Sequence, residues 1–209
     1  MKKNSSITEI VFLLDHSEKS VNFRERTIRN FNSMIEKLQQ KNLNLRITTA
    51  LYNDKIKLLH DGLQINDVQP MRWRDYRPSG NTAFLDAMGL TFKHVFMRNR
   101  LFPKQDRSKR TLVFIWTNTQ ENASTVYSEL NMKIMMDILS NCHHWDFLYC
   151  ATTDGDEALL DRIANTHESP CILDFGANFI SRIYNNLLGV LYHYCLSNKS
   201  MRNIWDNFI

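Results

Sequence analysis

The sequence predicts an α/β protein with a Rossmann-like, doubly wound and mostly parallel six-stranded sheet, one antiparallel edge strand and helices on both faces. Apolar runs of strand length alternate along the chain with segments whose apolar residues recur at steps of three and four residues. The first and central runs, 10–14 and 112–116, are continuously apolar, as expected for strands that are buried on both faces. Asn53-Asp54 between two strand-like segments predicts a tight hairpin, which adds the antiparallel edge strand.

The predicted elements follow one another in a regular order. Strands are predicted at 10–14, 45–52, 55–60, 112–116, 145–150 and 171–175, and helices at 20–41, 85–96, 126–141, 156–164 and 180–194. In the helix over 126–141, an apolar stripe typical of a helix face that packs on a sheet is formed by Tyr127, Leu130, Ile134 and Ile138. We expect one domain over 1–196, and a tail over 197–209 whose apolar residues pack on the domain or at an interface.

Composition limits the classes of function. The 26 basic and 22 acidic side chains among 209 residues leave a net charge of +4, which gives no global signature of binding to nucleic acid or to a membrane surface. The start of the chain lacks the apolar core of a signal peptide, and no apolar stretch approaches the length of a membrane span. The four cysteines form no CxxC pair, so a reduced, cytoplasmic setting is expected.

Three polar segments are predicted to meet at the carboxyl edge of the sheet, where open α/β sheets bind ligands. Asp15, Ser17 and Lys19 follow the first strand, and Thr82 precedes the helix that contains Leu85. A third segment after the central strand contributes Asn118 and Thr119. We therefore expect a binding rim made of Asp15, Ser17, Lys19, Thr82, Asn118 and Thr119.

The order and spacing of these segments resemble the von Willebrand factor type A (VWA) domain, in particular its small stand-alone bacterial and phage members. The resemblance covers roughly residues 7–195 and includes the stretches Phe31-Asn32-Ser33-Met34-Ile35, Gly80-Asn81-Thr82-Ala83-Phe84-Leu85-Asp86-Ala87 and Glu121-Asn122-Ala123-Ser124. It implies a metal-ion-dependent adhesion site (MIDAS) built from an Asp-x-Ser-x-Ser loop, a threonine and an aspartate, the last usually within Thr-Asp-Gly.

The resemblance also implies that this site is degenerate. Asp15, Ser17 and Thr82 match its metal ligands, whereas Lys19 replaces the second serine and Asn118 replaces the aspartate. Because a dication and Lys19 would face a single carboxylate, we expect Mg²⁺ or Mn²⁺ to bind weakly or not at all, and no other cofactor. One hypothesis is that the Lys19 ammonium pairs with Asp15 in place of the metal; the alternative is a site that still binds Mg²⁺ through Asp15, Ser17 and Thr82. A third interpretation makes Asp15, Ser17 and Thr82 helix caps.

Other segments offer weaker candidates. Thr153-Asp154-Gly155 resembles the third motif but follows a different strand, so Asp154 is a displaced acid or a plain turn residue. The 72–77 loop combines Arg72, Trp73, Arg74 and Arg77, the mixture of cations and aromatic rings with which proteins bind single-stranded nucleic acid. Together with the basic segment 104–110, it supports a second hypothesis, a nucleic-acid-associated factor.

The first functional hypothesis is a non-catalytic protein-protein interaction module, an adaptor or scaffold. The sequence contains no recognisable nucleophile with an adjacent base, phosphate-binding glycine loop or carboxylate pair, so an enzyme is not expected. The partner would be another protein that presents an acidic residue to the rim. A membrane partner is not expected, and a homo-oligomer stays open.

Overall fold

The computed structural model describes residues 6–151, 157–164, 172–174, 180–197 and 199–205. The strands are β1 (Thr8–Asp15), β2 (Leu45–Tyr52), β3 (Ile56–Gln64), β4 (Arg110–Thr117), β5 (Trp145–Ala151) and β6 (Ile172–Asp174). The helices are α1 (Arg24–Gln39), α2 (Phe84–Leu101), α3 (Glu129–His143), α4 (Glu157–Ala164), α5 (Ile180–Leu196) and α6 (Met201–Trp205). A short 3-10 helix, Glu18–Phe23, precedes α1.

In the part of the chain that the structure describes, the strands form one six-stranded sheet in the order β3-β2-β1-β4-β5-β6, in which β3 is antiparallel to its neighbour and the other pairs are parallel. The predicted fold class is therefore confirmed. The edge strand β3 is longer than predicted and ends at Gln64 rather than at residue 60. Its register against β2 shifts on both sides of Thr49, and pairing resumes beyond this irregularity at Leu63 and Gln64.

Helices cover both faces of the sheet because successive side chains of a strand point to opposite sides. Ile10, Phe12 and Leu14 of β1 pack in one core layer with side chains of α1, α5 and α6. Val11 and Leu13 lie in the other layer with side chains of α2, α3 and α4. The sheet between these layers positions the ends of β1 and β4 side by side.

The first turns of the predicted tail pack on the domain. Met201 and Ile204 of α6 are 2% and 4% exposed and lie in the same layer as α1 and α5. The Met201 N–H donates to Oδ1 of Asp146 at 3.0 Å, which fixes the start of α6 beside β5. Residues 206–209 lie outside the described residues.

The predicted buried stripe of α3 is wrong. Leu130, Ile134 and Ile138 are 64%, 50% and 51% exposed. Instead, α3 packs on the sheet through Met132, Met136 and Leu139. The helix has apolar residues on two faces, and periodicity alone does not decide which of them meets the sheet.

Three cysteines fall in the described ranges, and Cys142, Cys150 and Cys195 are all free thiols. Of these, Cys150 is buried in the core layer of α1, which agrees with its prediction as a small hydrophobic residue. None of the helices in the described ranges is both long and apolar enough to cross a lipid bilayer.

Candidate functional site

The three predicted segments meet at the carboxyl edge of the sheet. Asp15 is the last residue of β1 and Thr117 the last of β4, and these parallel neighbours pair up to Leu14 and Trp116. The segments that follow them therefore leave the sheet side by side. Thr82, which lies just before α2, reaches the same place.

The carboxylate of Asp15 is the centre of this site. Its Oδ1 accepts hydrogen bonds from the backbone N–H and the hydroxyl of Ser17, at 2.8 and 2.6 Å. Its Oδ2 accepts from the backbone N–H of Asn118 and the hydroxyl of Thr119, both at 2.9 Å. Asp15 is completely buried, and these four protein donors take the place of water around its charge.

Hydroxyl groups connect the third segment to the other two. Thr119 Oγ1 lies 2.6 Å from Thr82 Oγ1 and 3.3 Å from Ser17 Oγ. Ser17, Thr82 and Thr119 are at most 3% exposed. The site is thus a closed network in which one carboxylate and three hydroxyls hold three chain segments together.

Lys19 does not join this network, so its predicted ion pair with Asp15 does not form. Lys19 is exposed within the 3-10 helix, and its neighbour Ser20 is the buried residue. Ser20 Oγ accepts from the side-chain amide of Asn118 at 3.0 Å. The 3-10 turn thus brings the hydroxyl of Ser20 to the site, one position later than the second serine of the Asp-x-Ser-x-Ser pattern. Lys19 points outward because its charge needs to remain in contact with water.

The helix-capping interpretation is also wrong. Ser17 occupies the N-cap position of the 3-10 helix, but its side chain makes no capping hydrogen bond to that helix. The N-cap residue of α2 is Ala83 and not Thr82. The free N–H groups of α2 are satisfied by the segment after β4. Glu121 Oε2 accepts from the Leu85 N–H at 2.8 Å, and Ser124 Oγ from the Asp86 N–H at 3.0 Å.

Asp86 in turn holds the segment that leads from the site to α3. Its carboxylate accepts from the backbone N–H groups of Thr125, Val126 and Tyr127 at 2.8, 2.9 and 2.7 Å. Burial by itself would raise the pKa of Asp86, but these backbone donors outweigh it and lower the pKa below the ordinary value. Sequence reasoning missed this role of Asp86 and of Glu121, although both lie in stretches that resemble the family.

The 72–77 loop lies directly beside the site. The buried Tyr76 hydroxyl donates to the backbone carbonyl of Asp15, and the Arg77 N–H donates to Nε2 of His16 at 2.6 Å. The pKa of His16 is lowered to about 4, mainly by burial and further by the charge of Lys57, against the opposing charge of Asp15. Sequence reasoning did not single out His16 or Tyr76 as parts of the rim.

The other residues of this loop are partly committed to internal contacts. Arg72 forms an ion pair with Asp75 at 2.8 Å, and this hydrogen bond is the main reason that the pKa of Asp75 is lowered to about 2. The Trp73 ring is 57% exposed and stacks under the guanidinium of Arg24, 3.8 Å from the ring centre. Arg74 and Arg77 are exposed at the rim.

The basic segment 104–110 lies at the opposite edge of the sheet. The Lys109 N–H donates to the carbonyl of Ile7, which precedes β1, whereas the 72–77 loop contacts Asp15 at the other end of that strand. The eight residues of β1 separate the two by roughly 25 Å. The two segments therefore do not form the continuous basic surface that the nucleic-acid hypothesis assumed. Asp154, the displaced acid of the sequence prediction, lies outside the described residues.

Several solved structures of VWA domains share this fold. Proximal thread matrix protein 1 from the mussel byssus, in a structure with a zinc-occupied MIDAS motif, matches with a TM-score of 0.58 and 14% identity over 91% of this chain and 47% of that one. A von Willebrand factor type A structure from Catenulispora acidiphila matches with a TM-score of 0.59 and 8% identity over 88% and 42%. The vWF domain of the type V pili tip protein Mfa5 from Porphyromonas gingivalis matches with a TM-score of 0.63 and 7% identity over 93% and 98%.

The chain thus has the fold of a VWA domain, as its sequence motifs predicted. It spans about half of the mussel protein and nearly all of the Mfa5 domain. No protein-family model and no curated protein sequence matches it.

The residues present do not fit the divalent cation that this fold implies. Asp15 is the one carboxylate in the network, and its oxygens already accept four hydrogen bonds. Within the described part of the chain, no three histidine, cysteine, aspartate or glutamate side chains come together as metal ligands. A hard divalent cation prefers several oxygen ligands with more than one negative charge among them, and the single carboxylate of this network is already shared by four donors.

Proposed function

We propose that this chain is a non-catalytic protein-interaction module of VWA type, an adaptor or scaffold that binds its partner at the carboxyl edge of the sheet with weak or no metal dependence. One observation carries the proposal: Asp15, Ser17, Thr82 and Thr119 join three segments into a fixed rim through protein hydrogen bonds alone. A rim that is already ordered loses little conformational entropy on binding, which favours a docking surface.

The charges around the rim favour an acidic partner. Lys19, Arg74 and Arg77 are exposed there, and Lys57 reaches the same loop through a hydrogen bond of 3.0 Å to the Asp75 carbonyl. The charges of Lys57 and Arg24 also contribute to the lowered pKa of His16, which indicates a positive potential at this edge. A carboxylate on the partner would meet these cations rather than a metal ion.

The buried hydroxyls support a non-catalytic role. Ser17 and Thr119 both donate their protons to Asp15 and are 2% and 3% exposed, so they face the protein interior and not a substrate. The free thiols of Cys142, Cys150 and Cys195 fit the reducing cytoplasm, where we place the module.

Site-specific photo-crosslinking tests the docking surface. A benzophenone amino acid replaces Lys19 in cells that express the chain in its natural context, and replaces Lys109 in a matched control. Both lysines are exposed, but Lys109 lies at the opposite edge of the sheet. We expect one protein to be captured from position 19 and not from position 109.

The captured protein is then purified and titrated with charge-reversed variants. Lys19→Glu combined with Arg77→Glu should weaken binding by about tenfold or more, which corresponds to about 1.4 kcal/mol, whereas Lys109→Glu should leave it unchanged. EDTA should not alter the affinity. Equal capture from both positions, or equal binding by all variants, would contradict docking at this rim.

Nucleic-acid binding is the second candidate, and the exposed Trp73 ring beside Arg24 is the observation that favours it. Fluorescence anisotropy with a labelled oligo-dT strand tests it at several salt concentrations. Binding that falls steeply with salt and disappears in Trp73→Ala would favour this candidate over the first.

A further inference from the structure

We propose that the hydroxyl of Thr119 is the chain's own substitute for the cation of the VWA fold: it ties the three segments together and closes the site to metals. Opening the site would take two substitutions, Thr119→Gly and Asn118→Asp. The inference rests on one part of the proposed function, namely that the site does not depend on a metal, and explains that part. It does not require the docking surface or an acidic partner.

The position of the hydroxyl is the first argument. Thr119 Oγ1 contacts Asp15 Oδ2 at 2.9 Å, Thr82 Oγ1 at 2.6 Å and Ser17 Oγ at 3.3 Å. These three side chains are the ones that match the metal ligands of the family. A single oxygen of Thr119 therefore touches the whole set that a cation would need.

The count of protons is the second argument. Each hydroxyl has one proton, and those of Ser17 and Thr119 are both donated to Asp15, at 2.6 and 2.9 Å. The proton between Thr82 and Thr119 must then come from Thr82, since Thr119 has already used its own. Every hydroxyl proton thus stays inside the network, and Oγ1 of Thr119, rather than a cation, contacts both Asp15 Oδ2 and Thr82 Oγ1.

The charge of the site is the third argument. The family's third segment contributes an aspartate and usually a glycine after it, but this chain has Asn118 and Thr119 at those positions. Asn118 supplies donors instead of a charge: its backbone N–H bonds to Asp15 and its side-chain amide to Ser20, at 2.9 and 3.0 Å. One carboxylate that already accepts four hydrogen bonds attracts a dication far less than two carboxylates would.

Titration with Mn²⁺ followed by electron paramagnetic resonance measures free and bound ion directly. We expect no saturable binding by the wild-type chain. The double variant Asn118→Asp with Thr119→Gly should bind one Mn²⁺ saturably, with a dissociation constant at least about tenfold below the highest Mn²⁺ concentration at which the wild type shows no saturation. Adding Asp15→Asn to the double variant should abolish that binding.

Matched variants separate the hydroxyl from the charge. Asn118→Asp with Thr119→Ser adds the acid but keeps a hydroxyl at position 119, so it should bind Mn²⁺ more weakly than the double variant with glycine. Circular dichroism checks that each variant is folded. A folded double variant that binds no better than the wild type would overturn the proposal.

A second measurement needs no substitution. A ligand that binds only the folded state raises the melting temperature, so thermal unfolding of the wild-type chain with EDTA or with excess Mn²⁺ tests the closed site directly. We expect identical melting temperatures. A rise with Mn²⁺ that disappears in Asp15→Asn would refute the closed site, and would do so whether or not the crosslinking experiment finds a partner.

Discussion

The backbone N–H of Arg77 donates a hydrogen bond to Nε2 of His16 at 2.6 Å. The bond requires Nε2 to be unprotonated, so the imidazole is neutral and carries its proton on Nδ1. His16 lies between Asp15 and Ser17 in sequence, and Arg77 ends the cationic part of the neighbouring loop. The contact therefore ties the 72–77 loop to the rim only while His16 is neutral.

The free energy of unfolding is expected to decrease as the pH is lowered, because of His16. Its pKa is about 4 in the folded chain and about 6.5 when unfolded, so the unfolded state binds more protons between these values. The contribution of His16 is fully present above pH 6.5 and is lost progressively as the pH falls toward 4. Urea unfolding at several pH values should show this slope in the wild type and a smaller slope in His16→Gln.

The control for this experiment is His144→Asn. His144 is exposed at the amino end of β5 and has a positive φ of 57°, which asparagine tolerates. This variant should keep the wild-type slope. Equal slopes in the wild type and in His16→Gln would show that His16 is not the group responsible.

Asp86 is expected to be important for stability although it lies outside the rim. Asp86→Asn keeps one acceptor oxygen but turns an amide toward a backbone N–H, and should lower the free energy of unfolding by about 1–3 kcal/mol. Because the pKa of Asp86 is lowered on folding, its contribution is present above the unfolded pKa and is lost in acid. The Asn variant should therefore be less sensitive to pH below about 4 than the wild type.

Gly89 is expected to resist substitution by alanine within α2. Alanine favours a helix by about 1 kcal/mol over glycine, but its Cβ would lie 2.6 Å from the ring of Tyr127. Gly89→Ala should therefore destabilise the chain by about 1–3 kcal/mol. In a Tyr127→Ala background the same change should be neutral or stabilising, and a double-mutant cycle by chemical denaturation measures the difference.

The two apolar faces of α3 should respond differently to truncation. Met132 is completely buried, so Met132→Ala should cost about 2–5 kcal/mol of unfolding free energy. Ile134 is 50% exposed, and Ile134→Ala should change it by less than about 1 kcal/mol. Similar losses in both variants would mean that Ile134 is buried in solution, for example against another chain.

The parts of the fold that could be predicted from the sequence are those in which a local pattern has one physical solution. The apolar runs of β1 and β4 have the length of strands buried on both faces and are too short for typical helices, and the Asn53-Asp54 turn between two strand-like segments favours a hairpin. The α3 helix allowed two solutions, since it is apolar both at Ile134 and at Met132. Only the packing against the sheet decides between them.

The same limit applies to the site. Sequence spacing brought Asp15, Ser17, Thr82 and Thr119 to one edge, because strand order determines where loops meet. The role of Lys19 could not be read this way, since the short 3-10 turn decides whether residue 19 or 20 points inward. Hydrogen bonds between distant segments, such as that from Leu85 to Glu121, leave no periodic pattern in the sequence.

The capping of α2 by the segment after β4 has a mechanical consequence. Glu121 accepts N–H groups from Leu85, Ala123 and Ser124, so this irregular stretch of chain is fastened along its length and anchored to a helix. Its amide protons should exchange with solvent more slowly than those of an ordinary surface loop, and proteases should cut it poorly. A force applied at Thr119 would accordingly be transmitted to the first turn of α2, because the segment between them is held by hydrogen bonds and cannot extend freely.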